Sequence, residues 1–153
     1  MEHFYKDIYG FADYLGIYRK AVKMFPSGSH FVEVGSFLGK SAVFMAVEII
    51  NSGKNIKFDC VDHWLGSDEH RSSPSNEPNS LDFIFIDASH DEISVKQDLA
   101  YWMPRLKENG MIAGDDVDSE GVANALNWFF DTEKLDIVGR QWMLNLSKEG
   151  EEA

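Results

Sequence analysis

A chain of 153 residues, 44% hydrophobic and 13% aromatic, is long enough to form one domain around a sizeable core. Its formal net charge of −12 argues against nucleic acid or an anionic membrane as a partner, and a single cysteine, Cys60, excludes a disulfide framework. No apolar run has the length of a membrane span or a secretory h-region, so one soluble, cytoplasmic domain over residues 1–153 is expected.

Taken in chain order, Phe4, Ile8, Phe11, Leu15, Tyr18, Val22 and Phe25 recur at helical spacing and predict an N-terminal helical segment over residues 1–26. Pro26-Ser27-Gly28 ends it, and Gly10 and Gly16 are points where it can break in two. Phe31, Val32 and Val34 then read as a strand. Gly35 and Gly39 permit a tight turn, and Ser41 opens a helix with apolar positions Ala42, Val43, Met45, Ala46, Ile49 and Ile50. A strand, a glycine turn and a helix N-terminus form a ligand cradle. Unpaired N–H groups and the positive end of the helix dipole face outward, and glycine lets a ligand approach the main chain.

Ile56 to Asp62 alternates as a second strand and ends on an acid. In a doubly wound sheet an acid about 20 residues past the glycine turn meets a ribose, and Asp62 stands at that distance; Trp64 is placed to stack on an adenine. Residues 65–80 are polar and rich in turn formers, an irregular loop. Leu81 to Asp87 is the most apolar strand signal and belongs at the centre of a sheet. Glu92 to Lys107 reads as a helix through Val95, Leu99, Trp102 and Leu106, which Pro104 kinks or shortens. Asn109-Gly110 turns the chain into the strand Met111 to Gly114, which ends on Asp115-Asp116. Ser119 caps a helix with the apolar face Val122, Leu126, Phe129 and Phe130. Leu135 to Val138 and Trp142 to Leu146 are two last strands with a hairpin at Gly139-Arg140. Strands alternating with helices predict an α/β fold: a Rossmann-like, doubly wound, mostly parallel sheet with one antiparallel strand near the C-terminus.

Spacing discriminates among the ligands of the glycine turn. A dinucleotide fingerprint would need glycine where Phe37 and Lys40 stand. A P-loop needs four residues between its glycines, and Gly35 and Gly39 enclose three, so Gly39-Lys40-Ser41 is a near miss. Glu33 would repel a triphosphate but suits an ammonium or sulfonium, and S-adenosylmethionine (SAM) carries both.

Val32-Glu33-Val34-Gly35-Ser36-Phe37-Leu38-Gly39-Lys40-Ser41-Ala42-Val43 resembles the first motif of class I SAM-dependent methyltransferases, especially the metal-dependent catechol, caffeoyl-CoA and macrolide-sugar O-methyltransferases. The resemblance covers roughly residues 30–64 and 81–146. It implies that Glu33, Gly35, Ser36, Phe37, Ser41, Asp62 and Trp64 bind SAM, with Ser41 on its carboxylate. It implies further that the N-terminal helices cover the active site or form dimer contacts, which makes a homo-oligomer one expectation. The family's third strand falls in residues 65–80 and is here reduced or absent.

Ligands of open α/β sheets bind beyond the carboxyl ends of the strands, so Glu33, Asp62, Asp87, Asp115 and Asp116 should gather along one edge. Asp87 followed by the adjacent pair Asp115-Asp116 resembles the metal-binding arrangement of the same O-methyltransferases. Like charges crowded in a cleft call for a cation, and three carboxylates are hard ligands suited to a divalent metal such as Mg²⁺. Asp87, Asp115 and Asp116 are therefore the expected metal ligands. His90 takes the place of the family's catalytic lysine, three residues after the metal aspartate, which makes it the expected general base, with Asp87 the next candidate. The expected function is methyl transfer from SAM to a hydroxyl of a small sugar or catechol-like acceptor. A P-loop-like nucleotide-binding enzyme, supported by the Walker B character of the strand before Asp87, and an inactive SAM-binding module are the alternatives.

Overall fold

Period-two alternation along the strands decides which layer each residue joins, and two helical layers close over the two faces of one sheet. The computed structural model describes residues 1–62 and 77–148. The strands are β1 (His30–Val34), β2 (Lys57–Val61), β3 (Leu81–Ile86), β4 (Leu106–Gly114), β5 (Asp136–Val138) and β6 (Gln141–Asn145), in the order β2-β1-β3-β4-β6-β5. The first four in that order are mutually parallel. β6 runs antiparallel to β4 and β5 antiparallel to β6, so β6 is the one reversed strand. This is the expected mostly parallel, Rossmann-like sheet, with β3 inside it. Beyond β2 no further strand is present among the described residues.

One face carries Phe31, Phe83, Phe85, Met111 and Met143 against α1 (Leu15–Met24) and α2 (Lys40–Ser52). The other carries Val32, Val34, Ile84, Ile86 and Ile112 against α3 (Glu92–Trp102) and α4 (Glu120–Phe129). Aromatic rings crowd the first layer: Phe31 and Phe83 meet at 5.3 Å, and Tyr18 stands edge-on to Phe85 at 5.1 Å. None of the described helices is long and apolar enough to cross a membrane.

The N-terminal segment breaks more completely than its stripe suggests. Tyr5–Asp7 is a single 3₁₀ turn, α1 begins only at Leu15, and Phe11 is 77% exposed. Gly10, at φ 135°, lies far from helical dihedrals. The arm is strapped back onto α2, where the terminal ammonium donates to Asn51 Oδ1 at 2.6 Å and the His3 ring stacks on Phe44 at 4.4 Å. The buried face of α2 is Ser41, Phe44, Met45, Val47 and Ile49, whereas Ile50 faces solvent. Apolar residues surround this helix, so its docking on the sheet selects the face.

Pro104 shortens α3, which gives way to a 3₁₀ turn over Met103–Arg105. Leu106 belongs to β4 rather than to that helix, and Asn109-Gly110 lies within β4 instead of turning the chain. Leu81 pairs with Leu106 and Phe83 with Met111, so the extra residues of β4 bulge out there. Trp64 and most of the loop expected at 65–80 lie outside the described residues, of which 77–80 form a turn.

Candidate active site

The glycine turn after β1, the chain beyond the carboxyl ends of β3 and β4, and the approach to α1 enclose a cleft of about 390 Å³. Gly35, Ser36, Phe37 and Ser41 form one wall. Asp87, His90, Asp115 and Asp116 form the other, while Phe11, Asp13 and Tyr14 reach in from the N-terminal arm and Arg140 from the β5–β6 hairpin.

The first wall is held by main-chain bonds. Gly35 N–H donates to Val61 O at 2.8 Å, and Asp62 Oδ2 accepts the N–H groups of Ser36 and Phe37, both at 2.7 Å. Asp62 therefore braces the turn itself, a task beside the ribose contact expected of it. Phe37 adopts a left-handed φ of 47° and is 56% exposed, the strained conformation that clusters at ligand sites. Gly35 has a packing reason beside the ligand approach its motif suggested. At φ 89°, a Cβ there would collide with Asp87 O and lie 2.8 Å from Ala88 Cα. The glycine lets the cofactor turn and the Asp87 loop pack backbone to backbone.

Glu33 does not reach the cleft. It shares the sheet face of Phe31, is fully buried, and accepts a hydrogen bond from the Tyr18 hydroxyl. Burial raises its carboxyl above the usual range, against the hydrogen bond from Tyr18. Its Oε1 has no hydrogen-bond partner. Glu33 sits beneath the turn, as strand alternation dictates, and is not among the residues that line the cleft.

On the second wall, Asp87, His90 and Asp116 bring one ligand atom each within 4.8 Å of one another. His90 Nε2 lies 2.7 Å from Asp116 Oδ2 and 4.0 Å from Asp87 Oδ1. Asp116, 5% exposed and left-handed at φ 60°, also pairs with the Arg140 guanidinium, whose Nε is 3.3 Å from Asp118. His90 is steadied from α4: Ser119 donates to its carbonyl at 3.4 Å, and Gly121 packs where a Cβ would collide with that carbonyl and lie 2.8 Å from Glu92 N. Burial raises the Asp87 carboxyl, partly offset by a hydrogen bond from Tyr14. Burial likewise raises Asp115, against the Arg140 charge.

These residues fit a small hard cation. Two donors about 2.1 Å from Mg²⁺ stand about 3.0 Å apart when adjacent and about 4.2 Å apart when opposite, so the group must contract by roughly an ångström or more to share one ion. Among the expected ligands, Asp87 and Asp116 stand together with His90, while Asp115 lines the cleft outside that group, its Oδ1 buried without a partner. The cofactor wall fits its guest too, with a helix N-terminus at Lys40 and an unpartnered buried Ser36 Oγ. Sequence reasoning missed Tyr14, outside the counted stripe, and Arg140, a lone cation on a hairpin with no motif around it.

Comparison with known proteins agrees with this architecture. A family model described as a methyltransferase domain matches residues 70–117. The solved structure of MycE methyltransferase from the mycinamycin pathway, with Mg, S-adenosylhomocysteine (SAH) and mycinamycin VI, superposes with a TM-score of 0.62 at 12% identity, over 90% of this chain and 50% of that one. The O-methyltransferase TomG from Streptomyces achromogenes, in complex with SAM, gives 0.54 at 12% identity over 91% and 82%. CalS11, a TDP-rhamnose 3'-O-methyltransferase of calicheamicin biosynthesis, gives 0.55 at 13% over 86% and 76%. No curated protein matches the sequence. The fold is that of the class I methyltransferases, which this chain resembles. It spans half the length of the MycE chain.

Proposed function

We propose that this chain is a SAM-dependent O-methyltransferase that methylates a hydroxyl of a small sugar or catechol-like diol with help from a divalent cation, Mg²⁺ in the first instance. One observation carries the reading: the Gly35–Ser41 turn and the Asp87, His90 and Asp116 group face each other across one cleft. The similar solved structures that hold SAM, or SAH and Mg, support it. One domain over residues 1–153, in the cytoplasm, goes with this reading.

Gly35, Ser36, Phe37 and Ser41 would hold the methionine part of SAM at the α2 N-terminus, and Asp87 and Asp116 the cation, with His90 beside them as the general base. When bound, SAM supplies an electrophilic methyl group and the cation lowers the pKa of the acceptor hydroxyl. The chain's own work is orientation and proton removal. Asp116 Oδ2, 2.7 Å from His90 Nε2, would hold the tautomer whose Nδ1 is basic, and Nδ1 would take the proton of the acceptor hydroxyl as that oxygen is methylated. Ligand and base are competing tasks for one imidazole. A second reading, an inactive SAM-binding module, draws on Arg140, which already neutralises Asp116. Calorimetry with SAM, SAH and ATP, followed by methyl-transfer assays with diol acceptors with and without EDTA, tests the proposal. SAH binding with EDTA-sensitive transfer is expected. ATP–Mg²⁺ binding without SAM or SAH binding overturns it in favour of a P-loop-like enzyme, and full activity in EDTA removes the metal.

A further inference from the structure

The reversed strand β6 brings one cation to the acid wall. β4 and β6 pair with Gly114 opposite Trp142, and the same antiparallel register carried two residues further sets Asp116 opposite Arg140. There Arg140 holds three consecutive residues of the loop after β4. Its guanidinium pairs with Asp116 Oδ1 and, through Nε at 3.3 Å, with Asp118 Oδ1, while its carbonyl accepts the Val117 N–H at 2.9 Å. The other Asp116 oxygen, Oδ2, stands 2.7 Å from His90 Nε2, with Asp87 in the same group.

We infer that Arg140 is a positioning residue that locks the Asp116 carboxylate, holding one oxygen on the hairpin side so that the other faces His90 and the cation. This deepens the proposed function and rests on it. Asp116 needs such a lock on two counts. It is left-handed at φ 60°, a conformation that persists in a non-glycine residue only where several contacts hold it, and it is buried, where an unpartnered charge is costly. A single donor would leave the carboxylate free to turn about its side-chain bonds. A planar guanidinium that also meets Asp118 fixes its direction and its plane. The same positive charge opposes a nearby cation, so the sizes of the two effects decide the sign. The Arg140 side chain is 55% exposed, and water and salt screen its repulsion. The carboxylate it orients is buried, and outer hydrogen bonds to metal ligands change affinity by on the order of 10–100-fold. Orientation outweighs repulsion, and the guanidinium serves the cation site instead of filling it.

Arg140→Ala tests this, with wild type and Arg140→Lys beside it. In calorimetric titrations with Mn²⁺, Arg140→Ala should lose on the order of 10–100-fold in affinity. Arg140→Lys, which keeps a donor for Asp116 but cannot meet Asp118 as well, should recover part of that loss. Low-millimolar guanidinium added to Arg140→Ala should also recover part of it, a response that general loosening would not give. In turnover, kcat should fall while KM for SAM holds, because the cofactor wall is untouched. Equal or tighter Mn²⁺ binding by Arg140→Ala overturns the inference alone, since the guanidinium would then be a bystander or a competitor of the cation. A loss that comes with a lower melting temperature and that neither guanidinium nor Arg140→Lys relieves overturns it as well. A wild-type protein that binds SAH but no divalent cation overturns the metal reading and the inference with it.

Discussion

Tyr14 and Tyr18 stand one helical turn apart, and each belongs with a carboxylate: Tyr18 donates to Glu33, and Tyr14 lines the same cleft as Asp87. Tyr18 and Glu33 are sealed in the α1–α2 layer, whereas Tyr14 and Asp87 open onto the cleft. Position along the strand makes the difference. Glu33 lies inside β1 on the face of Phe31, so the sheet itself covers it. Asp87 follows the last residue of β3, where covering ends and ligands of α/β sheets bind. The same two side chains can therefore build scaffold or site, and a residue or two of strand length decides which.

The largest expected effect tests the open pair's partner. His90→Ala should lower kcat by on the order of 10²–10⁴-fold if the imidazole is the base, with SAH and Mn²⁺ affinity preserved. Loss of Mn²⁺ affinity in that variant would make His90 a ligand and pass the base to another group. The seam between the two regions comes next. Gly35→Ala forces a left-handed alanine against the Asp87 backbone and should cost about 3 kcal/mol or more in chemical denaturation, because conformational strain and overpacking act together. A fully stable Gly35→Ala protein whose only defect is SAM binding would restore the ligand-approach explanation for this glycine.

The smallest effect sharpens the sealed pair. Burial raises the Glu33 carboxyl, so on raising the pH the unfolded chain releases this proton first, near pH 4.3, as estimated from a free glutamate at about that value. Across the window from there up to the folded-state value the native state holds the extra proton, and stability falls as pH rises. Glu33→Gln, which keeps an acceptor for Tyr18, should match wild type in melting temperature at about pH 4 and exceed it at pH 7–8. An unchanged difference across that range would show Glu33 to be ionised without cost, hence partnered by something other than Tyr18.

Much of this was legible in the linear chain. The run Phe31, Val32, Val34 before Gly35, the apolar strand before Asp87, and the acids after Gly114 define the strand ends, because strand length and polarity are local properties, and strand ends are where an α/β sheet binds ligands. That placed the glycine turn, Asp87, Asp115 and Asp116 along one edge of the sheet before any coordinates, and the family resemblance added Ser41 and His90. Alternation could also have warned that Glu33 faces inward with Phe31. What only the tertiary structure decided depends on contacts between segments far apart in sequence: the packing of Gly35 on the Asp87 backbone, the reach of Tyr14 from the N-terminal arm to β3, the meeting of His90 with Asp116, and the arrival of Arg140 at Asp116 from the last hairpin. No local pattern encodes those meetings, since each exists only once the sheet has brought its strand ends together.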